Sequence, residues 1–357
     1  MKNVVDFKIS KRKLKGLLQN MEKSAEIINL VYVSDKDPGI ERIKQHRGFI
    51  YIKNQKKITD EKELLRIRQL VIPPAWENVW ICSLSNGHLQ ATGLDAKKRK
   101  QYRYHLLWSE FRNQTKFFQL LEFGKKLPVM REQIEKDLSK QGLPLEKVLA
   151  AVVMIMLETN IRVGNSMYEK LYGSFGITTL KDKHVRINGS SVKFCFKGKK
   201  GVDHEIDLKS IRLARIVKRC RDIPGKELFQ YYDETGEKKP IDSGMVNEYI
   251  KNICCDNFTT KDFRTWMGSV YAIEAFRELG CCETETGTKK NIVQAFDMVA
   301  KRLGNTRTVC KKYYVHPVIP DLYANKQLEK FWEMKEGNQE NFSKAEWILM
   351  KILETLK

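Results

Sequence analysis

The rhythm of apolar and polar positions changes near residue 105. Before it, short runs of β-branched, aromatic and aliphatic residues recur at 30–33, 49–52, 79–83, 89–92 and 101–104. Turn signals such as Asp37-Pro38-Gly39 and Asn86-Gly87 bound them, which predicts strands. One helix is expected over 61–69, with Asp60 as its N-cap and Glu63 closing a capping box. It stops before Pro73-Pro74, which cannot continue a helix.

After residue 105 the pattern is mostly helical. Residues 144–160 (PLEKVLAAVVMIMLETN) start with Pro at a first-turn position and are apolar nearly all round, so they predict a buried central helix. Further helices are expected over 211–221, 246–253, 261–279, 289–303 and 344–356, the last with Ser343 and Glu346 at capping-box spacing. One β island interrupts them at 184–187, 191–196 and 202–207. Asn188-Gly189 is its first turn, a strong hairpin signal, and Lys197-Gly198-Lys199-Lys200-Gly201 its second. There is no internal repeat and no low-complexity run. The expected fold is α+β: a small β-rich N-terminal domain over 1–105, then a larger, mainly α-helical domain over 106–357 that carries a three-stranded β-meander.

Composition narrows the partner. A hydrophobic fraction of 42% fits a folded chain, and the formal charge of +21 points to a polyanion, nucleic acid being the commonest. No stretch reaches the roughly 20 apolar residues of a spanning helix, and the first residues lack the apolar core of a signal peptide. No membrane is therefore expected as a partner. The eight cysteines include the neighbours Cys254–Cys255 and Cys281–Cys282 but no C-x-x-C, and no histidine spacing completes a zinc site. They read as reduced thiols of a cytosolic compartment, and neither a metal nor a cofactor is expected.

The chemistry-bearing residues fall into three groups. Lys97, Lys98, Arg99, Lys100 and Arg103 crowd one segment, with Gln101, Tyr102 and Tyr104 among them. Cations neutralise phosphates and aromatic rings pack on sugars and bases, so this segment is a candidate DNA-binding surface. Arg162 follows the predicted central helix, Lys199 stands in the tight turn of the meander, and Arg264 and Lys261 fall in the first turn of a helix. Cations oppose the positive end of a helix dipole, which suggests that Arg264 and Lys261 are kept for an anion. Last, Tyr313 and Tyr314 follow two lysines. A tyrosine with a pKa of ~10 is a poor nucleophile unless cations stabilise its phenolate, and a Tyr-Tyr pair by itself is most simply core packing.

The motifs that carry these residues occur in a telling order: Arg162-Val163-Gly164-Asn165, Phe196-Lys197-Gly198-Lys199, Lys261-Asp262-Phe263-Arg264-Thr265-Trp266, and Leu303-Gly304-Asn305-Thr306 followed by Tyr314-Val315-His316-Pro317. Together they resemble the type IB DNA topoisomerases of bacteria and large DNA viruses. Ile72-Pro73-Pro74-Ala75-Trp76, Gly93-Leu94-Asp95-Ala96-Lys97 and Gln101-Tyr102-Arg103-Tyr104 are similar to that family's clamp domain, and the resemblance spans roughly residues 30–325.

The resemblance implies a catalytic set of Arg162, Lys199, Arg264, Asn305 and Tyr314. It implies relaxation of supercoiled duplex DNA through a 3′-phosphotyrosyl intermediate, without ATP or metal, by a monomeric clamp that closes about a joint near residues 105–107. Poxvirus-type and nuclear members carry histidine where Asn305 stands; asparagine donates a hydrogen bond but cannot shuttle a proton, so its expected role is to orient the phosphate. Tyr313 fits the pattern less well than Tyr314. A tyrosine recombinase shares nearly the same residues but usually has His-x-x-Arg where this chain has Lys261-x-x-Arg264. A DNA-packaging protein would account for the charge but not for this ordered set. The expected location is the cytoplasm, with the nucleoid, or a large DNA virus.

Overall fold

A six-stranded antiparallel sheet carries the first part of the chain. Its strands are β1 (Ile40–Gln45), β2 (Gly48–Lys53), β3 (Lys56–Lys57), β4 (Glu77–Ile81), β5 (Leu89–Leu94) and β6 (Lys100–Tyr104), in the order β3-β2-β1-β4-β5-β6. Helix α1 (Met21–Ile27) precedes the sheet and α2 (Glu61–Gln69) lies between β3 and β4. The computed structural model describes residues 20–46, 48–96, 98, 100–334 and 342–356. It divides into two compact units, Met1–Phe118 and Gln119–Lys357.

In the first unit Ile67 of α2 packs with Ile40, Val79, Ile81 and Ala91 of the sheet. Asp60 caps α2, accepting the Lys62 and Glu63 N–H groups at 3.3 Å each. Glu63 does not close the expected box: its carboxylate goes instead to Arg66, one turn on, at 2.7 Å. Residues 30–33 are not a strand either. Only Val31 bridges to Gly87, because Leu30 is drawn into an apolar cluster with Ala25, Ile28, Trp108 and Phe111. Strand β1, absent from the expected set, is central. Its sequence IERIKQ has apolar residues three apart, so period-two alternation fails; Arg42 compensates by donating to the carbonyls of Pro73 (3.1 Å) and Trp76 (2.6 Å), which anchors the proline loop.

In the chain order that follows, α3 spans Leu106–Ser139, α4 Leu145–Thr159 and α5 Ser166–Tyr172. Helix α4 buries Val148, Ala150, Ala151, Val152 and Ile155 completely, as its all-round apolar sequence predicts. Pro144 is its extended N-cap rather than a first-turn residue, and Asn160 ends it in the left-handed conformation at φ 57°. A three-stranded antiparallel sheet comprises β7 (Val185–Asn188), β8 (Ser191–Lys197) and β9 (Asp203–Lys209) in sequence order. Asn188 pairs with Ser191, so the first turn is Gly189-Ser190, one residue later than expected, with Gly189 at φ 57°. The second turn holds a 3₁₀ segment, Lys199–Gly201.

Helix α6 (Ile211–Arg221) and the small pair β10 (Gln230–Tyr232) and β11 (Lys238–Pro240) lead to α7 (Ser243–Cys254) and α8 (Thr260–Leu279). Then come α9 (Glu285–Leu303), α10 (Arg307–Tyr313), α11 (Val318–Ala324), α12 (Glu329–Trp332) and α13 (Lys344–Thr355). Helix α8 is the most buried of these, with Trp266, Val270, Ile273 and Phe276 at 1% exposure or less. A Cβ at Gly124 of α3 would come within 2.6 Å of the Trp266 ring, so glycine is what lets that indole seat against α3. The Ser343–Glu346 capping box on α13 forms as expected. Glu346 does more: it accepts from Trp266 Nε1 at 3.0 Å and pairs with Arg131 at 2.7 Å, tying α13 to α8 and α3.

Candidate active site

The site is built where three helices end. Helix α8 starts at Thr260 because Thr259 caps it, its N–H donating to Asp262 at 2.8 Å and its hydroxyl at 2.9 Å. Arg264 therefore lies on the second turn, and only 7% of it is exposed. Its guanidinium donates to the Leu303 carbonyl at 2.6 Å and to the Asn160 carbonyl. Leu303 is the last residue of α9 and Asn160 the C-cap of α4, so this cation rests on the negative ends of two helices. That corrects the expectation that it opposes the dipole of its own helix. Its Nε is buried with no hydrogen-bond partner, and no carboxylate among the described residues pairs with it.

Arg162 is held by its backbone. Its carbonyl accepts the Ile177 N–H and the next carbonyl, of Val163, accepts the Thr178 N–H, both at 2.8 Å. The side chain donates to Asn305 Oδ1 at 2.6 Å. Burial, and then repulsion from Arg264, push its pKa down to about 10, with Tyr314 and Cys310 acting in the opposite sense. It remains a cation at neutral pH. Asn305 follows Gly304, which ends α9 in the left-handed region at φ 57°. Its Nδ2 donates to the Leu303 carbonyl at 3.2 Å, the same oxygen that Arg264 uses. The result is a closed circuit: Arg162 to Asn305, to the Leu303 carbonyl, to Arg264, to Asn160, two residues before Arg162.

Tyr314 caps the end of α10 and is half-buried, and the Arg264 guanidinium carbon lies 5.3 Å from its ring centre. Gly268 of α8 makes this possible, because a Cβ there would lie 2.7 Å from the Tyr314 carbonyl oxygen. Ser269 accepts the His316 N–H at 3.0 Å, and its hydroxyl lies 3.3 Å from the Tyr314 carbonyl. Sequence reasoning missed Gly268 and Ser269. The available signal was a glycine inside a helix, where it costs about 1 kcal/mol against alanine and so asks for a reason. Tyr313, next door, is exposed, with Lys312 5.3 Å from its ring centre. Two buried or half-buried guanidiniums and a tyrosine ring thus meet, with no carboxylate of the described residues paired to Arg264 or Arg162. Such a centre favours an anion with several oxygens.

Residues 97–341 match the family model for the catalytic core of eukaryotic DNA topoisomerase I, and residues 48–95 match that for the N-terminal domain of bacterial DNA topoisomerase IB. The chain is 33% identical over 332 residues to DNA topoisomerase 1B of Acanthamoeba polyphaga mimivirus, covering 89% of this chain and 95% of that one. It is 25% identical over 256 residues to DNA topoisomerase 1B of vaccinia virus (strain Copenhagen), covering 70% and 77%. The chain belongs to the type IB DNA topoisomerases. Membership in that family sets aside the recombinase and the packaging protein.

The remaining expected residues of this topoisomerase are not members of the circuit just traced. Lys199 is on the exposed 3₁₀ turn between β8 and β9, where the Gly198 N–H bonds the Val202 carbonyl at 2.7 Å and closes the turn. Lys261 is exposed on the first turn of α8. Lys97 and Arg99 lie outside the described residues. Lys98 pairs with Glu77, and Lys100 with Asp35 at 2.5 Å. Gln101 donates to Asp95 at 3.0 Å and Arg103 to the Val71 carbonyl at 2.8 Å. Exposed ion pairs of this kind are weak and exchange readily for phosphate. Tyr102 and Tyr104 project from the same face of β6, both about half exposed, with rings stacked at 5.9 Å. Sequence reasoning missed Tyr32, also exposed, which stacks on His88 at 4.1 Å and extends that aromatic surface. No helix among the described residues is long and apolar enough to cross a membrane.

Proposed function

We propose that this chain relaxes supercoiled duplex DNA by transient cleavage of one strand, acting as a monomer, either at a nucleoid or in a large DNA virus. The Tyr314 phenol oxygen attacks a backbone phosphorus and gives its proton to solvent water. The bond from phosphorus to the 5′-oxygen breaks, leaving a 3′-phosphotyrosyl link and a 5′-hydroxyl strand. Lys199 gives that leaving oxygen its proton, which spares a costly alkoxide. Arg162 and Arg264 neutralise the extra charge on the non-bridging oxygens of the transition state. Asn305, whose amide oxygen already receives Arg162, orients the phosphate through its remaining N–H. The free strand rotates and its 5′-hydroxyl reverses the reaction. One phosphodiester is exchanged for another, so no ATP is consumed, and the two guanidiniums supply the charge that a divalent ion supplies elsewhere.

Lys97, Lys98, Arg99, Lys100, Gln101, Tyr102, Arg103, Tyr104 and Lys261 complete the reading as DNA-binding residues. The observation that carries it is the buried Arg264, with an unpartnered Nε, beside the Tyr314 ring and the Arg162–Asn305 pair.

The test uses supercoiled plasmid in chelator without ATP, quenched with detergent. Relaxation and a covalent protein–DNA adduct are expected, and both vanish in Tyr314→Phe while Tyr313→Phe keeps them. Relaxation that survives Tyr314→Phe but not Tyr313→Phe moves the nucleophile; binding without relaxation ends the reading.

A further inference from the structure

His204 is the second residue of β9, and its ring occupies the space between two glycines that each precede a residue of the proposed site. A Cβ on Gly198 would lie 2.5 Å from the ring's Cδ2 and Nε2, and one on Gly304 would lie 2.6 Å from its Cε1. Gly198 precedes Lys199 and Gly304 precedes Asn305. Behind the ring, Phe196 pairs with His204 across β8 and β9 and stacks on it at 5.1 Å, with the planes 21° apart. Burial, and then repulsion from Arg162 and Arg264, disfavours a proton on this imidazole; Asp203 acts the other way. The ring is therefore neutral at neutral pH and lies within electrostatic reach of both arginines.

We infer that His204 is a positioning residue: its ring is the spacer that seats the Lys199-bearing turn against the Gly304-Asn305 corner, and so sets where the Lys199 ammonium meets the leaving oxygen. The inference rests on the reading of Lys199 as the general acid. Two glycines are needed because each backbone must reach the ring face or edge, where a methyl group has no room. Phe196 holds the ring from turning out of the gap. In this arrangement the lysine sits on a turn with a 3₁₀ segment, which has little rigidity of its own, and takes its register from the packed imidazole.

The experiment measures single-turnover cleavage of a duplex oligonucleotide bearing a mapped cleavage site, with either oxygen or sulfur as the 5′-bridging atom. A thiolate leaves without a proton, so sulfur removes the need for the acid. His204→Ala is expected to slow cleavage of the oxygen substrate on the order of 10²-fold, the scale of a misplaced group, and to cleave the sulfur substrate at close to the wild-type rate. Lys199→Ala is expected to show the same pattern. His204→Phe, which keeps an aromatic plate in the gap, recovers most of the oxygen cleavage. Gly198→Ala attacks the same packing from the other side, and it reads the inference should His204→Ala fail to fold. Rescue by sulfur in Lys199→Ala but not in His204→Ala or Gly198→Ala overturns the inference alone. Absence of rescue in Lys199→Ala overturns the acid reading and the inference together.

Discussion

Arg162 and Arg264 carry the same guanidinium but are held in different ways, and that difference separates stability from chemistry. Arg264 is buried and satisfies two helix-end carbonyls; Arg162 is partly exposed and bonds an amide side chain. Arg264→Ala strands the Asn160 carbonyl at about 1–3 kcal/mol and leaves the Leu303 carbonyl to Asn305 alone, so it is expected to lower both the melting temperature and the cleavage rate. Arg162→Ala is expected to cost 10²–10³-fold in cleavage, the usual loss for one transition-state donor, with a melting temperature close to wild type. Equal melting temperatures for the two variants, from calorimetry, would contradict this division.

Asn305 supports a sharper test at the same scale. Asn305→Asp puts a carboxylate 2.6 Å from Arg162, where it pairs with the guanidinium and repels phosphate. Cleavage by Asn305→Asp should therefore be slower than by Asn305→Ala, although aspartate is the closer isostere; the reverse order would sink the orienting role. These residues were legible in the sequence because their motifs stand in a family order. The circuit that joins them was not, since it runs through the carbonyls of Leu303 and Asn160, and every residue has a carbonyl.

Helices α8 and α10 position the tyrosine by a close approach, with Gly268 as the point of contact. Gly268→Ala brings a methyl group to 2.8 Å from the Tyr314 Cβ, so α10 must move. Expected are a loss of about 1–3 kcal/mol from overpacking, a marked slowing of cleavage, and unchanged DNA affinity by gel shift. Normal cleavage in a folded Gly268→Ala would show that the contact does not place Tyr314.

The N-terminal sheet carries a pH-sensitive element as well. Burial holds the His88 pKa down, from 6.5 to about 4, while its Nδ1 accepts the Val33 N–H at 3.1 Å. The unfolded chain takes up this proton near pH 6.5 and the folded chain only near 4. Stability from this group is thus complete above pH 6.5 and is lost as pH falls toward 4, by about 3 kcal/mol. Urea unfolding across that range should show the slope, and His88→Gln should flatten it. Elements with a strong period or cap, such as α2, α4, α6 and α13, were readable from sequence. Strand β1 was not, because its register depends on Arg42 and its neighbours, and α5, α10 and α11 are single or double turns fixed by tertiary contacts.

Across the whole chain, a formal charge of +21 exceeds anything four or five site residues need. Exposed cations and buried ones respond differently to salt. At 0.1 M the screening length is about 10 Å, and charges in water are attenuated over that distance while buried ones are attenuated much less. Binding of duplex DNA should therefore fall steeply with salt, on the order of 10³-fold between 50 and 200 mM for six phosphate contacts. The cleavage step inside the complex draws on Arg264, which is buried, and on Arg162, which is packed against Asn305. With enzyme kept saturating at every salt concentration, its single-turnover rate should change by no more than a few-fold over the same range. Measuring affinity and single-turnover rate in parallel separates the two populations of charge. A cleavage rate that fell as steeply as affinity would mean that exposed lysines, and not the packed arginines, carry the transition-state charge.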